Sequence, residues 1–296
     1  MAIHATMTYS IRATRSHIAA ASSATASAML HHRKGARLWR APCTSFVSEM
    51  APSLPPAAPR RLKELVPSQV AAVLADDPRL IVPVGTCEQH GPHMPLGCDT
   101  FIVERLSEDL SAEYGVLCAP TVEYGVNVDT ERSFAGNGSL RKKTLHRALN
   151  DLLASWEASG VREFVLLTAH EHDPHQEALA TVITAHARVR VVDIFNIDFA
   201  DLLTGQTAPM HGDEVDTSIM LYLAPHLVHM QLAQDYMMSR EELRRYRRGW
   251  LRVPKGSPGS IGRPTLATAE KGKALYERIR ARISERIFLA PAPDDA

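Results

Sequence analysis

Neither sign of charge is in excess in this 296-residue chain, which has 33 basic and 33 acidic side chains. It therefore lacks the electrostatic footprint of a nucleic-acid or anionic-membrane binder. No stretch approaches the run of about 18 apolar residues that a membrane-spanning helix needs, so the sequence does not read as an integral membrane protein. The four cysteines, Cys43, Cys87, Cys98 and Cys118, are too scattered for a CxxC metal knuckle and too few for a disulfide scaffold. They read as reduced thiols of a cytoplasmic protein. Acidic residues are absent from positions 1–48, which are rich in Ala, Ser and Arg and lead into a Pro-rich stretch at 51–59. Such a composition cannot bury a core. It reads either as a transit-type targeting peptide, which would place the protein in an organelle, or as a translated upstream region with Met50 or another internal Met as the start. A continuous apolar segment followed by a small-residue cleavage site is missing, which argues against a secretory signal.

Hydrophobic residues make up 45% of the chain, enough for a sizeable core. The pattern divides the chain into an extension over 1–58, one domain over 59–290 and a tail over 291–296. From Arg61 onward, short β-branched runs alternate with amphipathic stretches. Strands are expected at 80–84, 116–119, 164–167 and 189–194. Helices are expected from about Asp99, over 145–156, 176–187 and 216–223, and over 268–287. Strands separated by helices of this length imply an α/β fold with a mainly parallel sheet and helices on both faces. Binding sites in such sheets sit at the carboxyl ends of the strands.

Three polar clusters fall at such places. The first, Gly85-Thr-Cys-Glu-Gln-His-Gly-Pro-His-Met-Pro-Leu-Gly-Cys-Asp99, puts Glu88, His90, His93 and Asp99 in a loop after the first strand. Carboxylate with imidazole is the ligand mixture for zinc, manganese or iron. The second, Thr168-Ala-His-Glu-His-Asp-Pro-His175, follows a neighbouring strand, so the two clusters can meet in space. The third, Met210-His-Gly-Asp-Glu-Val-Asp-Thr-Ser218, precedes a short helix. Its carboxylates Asp213, Glu214 and Asp216 also suit a helix N-terminus; that plain explanation is strongest for Asp216 and leaves His211 unexplained.

These residues carry a resemblance. The segment Pro83–Thr100 resembles the signature loop of the creatininase (creatinine amidohydrolase) family. His211-Gly-Asp-Glu-Val-Asp-Thr-Ser218 resembles that family's His-Ala-Gly-Glu-x-Glu-Thr-Ser motif, and Phe134-Ala-Gly-Asn-Gly-Ser-Leu140 its Phe-Pro-Gly-Thr-x-Ser-Leu segment. Gly262 to Gly272 resembles its closing Gly-x-Pro-x-x-Ala-Thr-x-Glu-Lys-Gly. The resemblance spans about 61–287. It implies a three-layer α/β fold, a homohexamer and a centre of two divalent metal ions (Zn, Mn or Fe) that hydrolyses carbon–nitrogen bonds of amide type. Light scattering tests the hexamer, and a monomer at micromolar concentration would count against it. By matched position, Glu88 and His90 each hold a different ion, Asp99 bridges the two, and a histidine of the second cluster completes the site of Glu88: His170 when counted from Gly160 through the strand, which is preferred, or His172 when counted back from Gln176 with two residues inserted. A glutamate two residues after that histidine is the remaining ligand in creatininase proper. Here His172 stands in its place, with Glu214 as competitor.

The second cluster departs from the family's Asn-Gly-His-Gly-Gly-Asn, and the stretch 124–133 lacks the Ser and His that usually follow Tyr-Gly. No tryptophan precedes His211 in 205–210, whereas creatininases carry tryptophans over their substrate, so creatinine itself is not the expected substrate. In the implied reaction, a water acidified between the cations attacks a small amide, lactam or formamide. His211 is the candidate to protonate the leaving nitrogen, and Glu171 or Asp213 the candidate to receive the water's proton. Two rival readings are a related metal hydrolase of a peptide terminus or cyclic polyol derivative, and a catalytically silent metal-binding scaffold.

Overall fold

Leu80, Ile81 and Val82 lie in β2 (Arg79–Pro83) and are completely buried, as are Phe164, Val165, Leu166 and Leu167 in β4 (Glu163–Thr168). Side chains alternate across a strand. Accordingly Ile81, Val165 and Leu167 enter one apolar cluster, while Leu80, Val82, Phe164 and Leu166 enter another. A sheet apolar on both faces must be covered on both. The computed structural model describes residues 58–247 and 256–290. Residues 1–57 of the expected extension and the tail over 291–296 lie outside the described residues.

The sheet is parallel throughout, with order β1-β3-β2-β4-β5, where β1 is Arg60–Arg61, β3 Leu117–Cys118 and β5 Arg188–Asp193. One cluster joins it to α2 (Cys98–Tyr114), α5 (Glu214–Leu223) and α7 (Ala269–Ile283). The other joins it to α1 (Pro67–Asp76), α3 (Lys142–Ala158) and α4 (Asp173–Ala180). The result is the expected three-layer α/β architecture. A further short helix, α6 (Arg240–Arg247), follows. Among the described residues no helix is long and apolar enough to cross a membrane.

Several boundaries differ from the sequence pattern, each for a local reason. The helix expected over 176–187 begins earlier, with Pro174 in its first turn, and ends at Ala180. Beyond it the Glu157 carboxylate accepts the amides of Ala185, His186 and Ala187 at 2.8, 2.6 and 2.7 Å. Those amides are thus satisfied by a side chain rather than by helical carbonyls. On α3, Leu145, Leu149 and Leu153 face the core and are buried, while Leu152 is exposed. The final helix stops at Ile283 and passes into a wider π turn over Ser284–Phe288. Neither α1 nor α6 was expected. α6 reads Arg-Glu-Glu-Leu-Arg-Arg-Tyr-Arg and offers only two apolar-bodied side chains, Leu243 and Tyr246.

Candidate metal centre

Because β2 and β4 pair in parallel, the loops leaving Pro83 and Thr168 start side by side. The first carries Thr86, Glu88 and His90, then re-enters the fold at α2, whose first turn holds Asp99. The second carries His170. All four ionisable groups are buried, none more than 6% exposed. Asp99 stands between two imidazoles: its Oδ1 is 3.1 Å from His90 Nε2 and its Oδ2 is 3.4 Å from His170 Nδ1. Glu88 Oε2 is 3.0 Å from the same His170 nitrogen. Two ligands of one tetrahedral ion, each bonded at 2.0–2.1 Å, lie about 3.3 Å apart, so these separations fit shared coordination.

The backbone fixes which imidazole nitrogen faces the centre. His90 Nδ1–H donates to the Glu88 carbonyl at 3.1 Å, which turns Nε2 inward. His170 Nε2–H donates to the Val126 carbonyl at 3.0 Å, which turns Nδ1 inward. Orientation of a ligating histidine by a hydrogen bond from its other nitrogen is the usual arrangement at metal sites. Asp99 Oδ2 also accepts the Thr86 hydroxyl at 2.7 Å.

The electrostatics fit a cation. Burial pushes the Glu88 carboxyl well above its ordinary pKa. Burial also acts to raise that of Asp99, but His90 and His170 outweigh it and hold it well below the carboxylate range. Burial would lower both histidines, yet Asp99 lifts His90 to about 10, and Glu88 with Asp99 lifts His170 well above its normal value. Buried carboxylates demand compensating positive charge. Glu88 Oε1, Glu131 Oε2 and Asp216 Oδ1 are buried with no N–H or hydroxyl donor reaching them, as expected of groups built to face a metal.

His211 is brought to the same place. Its ring lies 4.4 Å from that of His90, and its Nε2 is 2.9 Å from the Gln89 amide nitrogen and 3.5 Å from Glu131 Oε1. Burial lowers its pKa to about 4. The close approach depends on Gly212, whose φ is +62° and whose absent Cβ would stand 2.5 Å from the His90 carbonyl oxygen. Any other residue would force the two loops apart.

The structure corrects three expectations. Glu214 is turned away: its carboxylate accepts Lys271 Nζ at 2.5 Å and the amides of Thr204 and Gly205 at 3.0 Å each. It is the first residue of α5, and the helical rotation carries it to the side opposite the centre. Asp213 is the N-cap of α5, accepting the amides of Val215 and Asp216 at 2.8 and 3.1 Å, and it is not part of the cavity wall. Asp216 does stand in the first turn of α5, as read from the sequence, and accepts the Gly212 amide at 2.8 Å; it also lines the cavity. His172 reaches the wall but bonds through Nδ1 to the Val126 carbonyl at 2.7 Å, outside the close groups around Asp99. Glu171 is exposed at the rim. His93 and His175 are buried structural histidines, bonded to Thr217 and to Thr168 with Val126 respectively. The sequence reading missed Glu131 and Tyr246, which both line the cavity. Glu131 lies in a stretch that had been read only for the residues it lacks.

The comparisons with known proteins point the same way. The sequence model of the creatininase family, described as creatinine amidohydrolase, matches residues 63–287. A 3-dehydro-scyllo-inosose hydrolase of Thermotoga maritima is 26% identical over 68% of this chain and 73% of its own. A mycofactocin precursor peptide peptidase of Mycobacterium ulcerans is 28% identical over 79% of this chain and 94% of its own. A crystal structure of creatinine amidohydrolase superposes with a TM-score of 0.66, covering 79% of this chain and 99% of that one at 21% identity. Other solved creatininases of the same fold are described as manganese and Zn–Zn forms.

Proposed function

Because the chain belongs to the creatininase family of hydrolases, we propose that it is a dinuclear-metal amidohydrolase cleaving the carbon–nitrogen bond of a small amide, lactam or formamide. The observation that carries the reading is Asp99, whose two oxygens face two different inward-turned imidazoles. One ion would be held by Glu88, Asp99 and His170, the other by His90 and Asp99. Zinc or manganese is favoured by the described forms of relatives, and the same oxygen and nitrogen donors accept iron. Such a pair of cations supplies, when bound, a water acidified toward neutral pH and a means of polarising a carbonyl.

The chain's own groups do the rest. His211 reaches the cavity beside His90; neutral at its lowered pKa of about 4, it would first have to take up the proton of the attacking water and could then hand it to the departing nitrogen. Gln89, whose amide hydrogen bonds to His211 Nε2, holds that ring in position. Glu171 at the rim is the remaining candidate to carry a proton away, since Asp213 is committed to its cap. The cavity is lined by Glu88, His90, Asp99, Glu131, His170 and His211, so its wall is rich in carboxylates and imidazoles. Apart from histidines, its aromatic lining is Phe195 and Tyr246, and none of the described residues that line it is a tryptophan, which speaks against creatinine as substrate.

A second reading keeps the metals and changes the bond. A further hollow, lined by Asp193, Asn196 and Asp198, shares Glu171 and Phe195 with the cavity. That continuity leaves room for a longer molecule such as a peptide terminus, and one relative is described as a precursor peptide peptidase. A silent scaffold is disfavoured, because it needs neither oriented imidazoles nor buried carboxylate oxygens that no donor reaches.

Metal analysis and a hydrolysis screen of cyclic amides, formamides and short peptides, with chelator controls, test the proposal. Expected are close to two metal equivalents per chain and turnover abolished by chelation. Glu88→Gln should lower turnover by about a thousandfold, the scale on which catalytic electrostatics is lost, and remove metal. Purified protein that is metal-free yet fully stable would overturn the proposal.

A further inference from the structure

The assignment above leaves the second ion short of protein ligands, and both residues suggested by the sequence fail to supply one. Glu214 is bound to Lys271, and the His172 ring is held toward Val126 at the cavity wall. Glu131, in the turn Asp129–Ser133, is 1% exposed and lines the same cavity next to His211, which itself groups with Glu88 and His90. Its two carboxylate oxygens have different environments. Oε1 accepts the Tyr246 hydroxyl and is 3.5 Å from His211 Nε2. Oε2 is buried and no N–H or hydroxyl donor reaches it, the Glu131 carboxyl lying within hydrogen-bonding reach only of another acid, the Glu88 carboxyl, besides Tyr246.

An ionised oxygen in that state is costly unless something positive meets it. The Glu88 carboxylate, likewise without a donor at Oε1, is its neighbour and is raised in pKa in part by Glu131. The turn itself is braced to present Glu131. Asn137 donates to the Glu131 carbonyl at 2.7 Å, while its own side-chain oxygen accepts the Gln89 amide at 2.6 Å. Glu131 is thereby tied to the loop that carries Glu88 and His90.

We propose that Glu131 is a direct ligand of the second ion through Oε2, and that Tyr246 is a positioning residue that holds Oε1. This rests on the two-metal reading. It also gives α6 a role: that helix delivers the hydroxyl that orients a ligand, so its docking and the filling of the second site reinforce one another. Fixing a ligating carboxylate by a hydrogen bond to its other oxygen is how a surrounding shell tunes a metal site.

The test uses the full chain, stripped by chelator and titrated with Mn²⁺, followed by calorimetry and electron paramagnetic resonance. The wild type should take two ions and give a spin-coupled signal. Glu131→Gln, whose amide oxygen can still accept from Tyr246, should keep one tight ion, bind the second at least a hundredfold more weakly and show an isolated six-line spectrum. Tyr246→Phe should keep both ions with the second weakened three- to tenfold, and His172→Ala should match the wild type. If the amide variant does not fold, Glu131→Asp replaces it, with a tenfold weaker second ion expected. Two tight ions in either Glu131 variant, or loss of the second ion in His172→Ala, would overturn the proposal. Wild-type protein that binds fewer than two ions would instead overturn the two-metal reading itself, whatever Glu131 does.

Discussion

A histidine's role in this protein is set by where its second nitrogen goes. His90 and His170 each spend one nitrogen on a backbone carbonyl and aim the other at Asp99. His93, in the same loop, bonds through Nε2 to Thr217 at 2.9 Å and is completely buried. Burial, with His90 nearby, lowers its pKa from 6.5 to about 4. A depressed histidine is neutral in the folded chain and protonates more readily when unfolded. Its contribution to stability is therefore complete above pH 6.5 and is lost as pH falls toward 4. With about 1.4 kcal/mol for each tenfold change in proton affinity, the loss is on the order of 3 kcal/mol. Urea unfolding at a series of pH values should show this acid loss in the wild type and a shallower slope, by up to one proton, in His93→Gln; identical slopes would refute it. The sequence showed a cluster of histidines and carboxylates after one strand but could not separate His93 from His90, because the deciding partner lies 124 residues away. Glu131 was illegible for a similar reason. It stands in an irregular turn, and its partners, Tyr246 and Glu88, come from distant segments.

At the scale of elements, period and turn chemistry carried most of the reading. The strands at 79–83, 163–168 and 188–193 and the helices α2, α3, α5 and α7 were foreshadowed by their apolar spacing. What escaped was decided by tertiary contact: α4 is cut short by the capture of three amides by Glu157, and α6 is a charged helix whose tyrosine serves the cavity. The packing of α5 on α7 is equally unmarked in the sequence, yet it sets where His211 and Asp216 stand. At its tightest point, a Cβ on Gly272 would meet the Ser218 carbonyl oxygen at 1.8 Å. Alanine would gain about 1 kcal/mol in helix propensity, but overpacking between two backbones that cannot yield costs more, commonly up to about 3 kcal/mol. Gly272→Ala should therefore be destabilised by about 2 kcal/mol or more in urea unfolding. Gly97→Ala, whose new methyl would meet only the Phe101 ring at 3.4 Å, should change stability by less than about 1 kcal/mol. Equal behaviour of the two variants would contradict this account of the helix contact.

Across the whole molecule, charge neutrality conceals a concentrated imbalance. Glu88, Asp99, Glu131 and Asp216 are each at most 3% exposed and line one cavity, so four carboxyl groups, which would carry four negative charges if all were ionised, converge inside a chain whose formal net charge is zero. Two dications would offset those four charges, whereas the imidazoles of His90 and His170 offset two at most. Ions that bind the folded chain and not the unfolded one stabilise it by mass action. At a hundredfold excess over the dissociation constant this is worth about 2.7 kcal/mol for each site. For a domain of this size each kcal/mol moves Tm by roughly 2–4 °C, so two filled sites together raise it by about 10–20 °C. Calorimetric scans with and without chelator should show a drop of that order, reversed by added zinc or manganese. In Glu88→Gln the chelator should have far less effect, because the ligand shared with His170 is gone. Wild-type scans that superpose with and without chelator would mean that the buried carboxylates are balanced by protons alone, and the cavity would then have to be understood without resident cations.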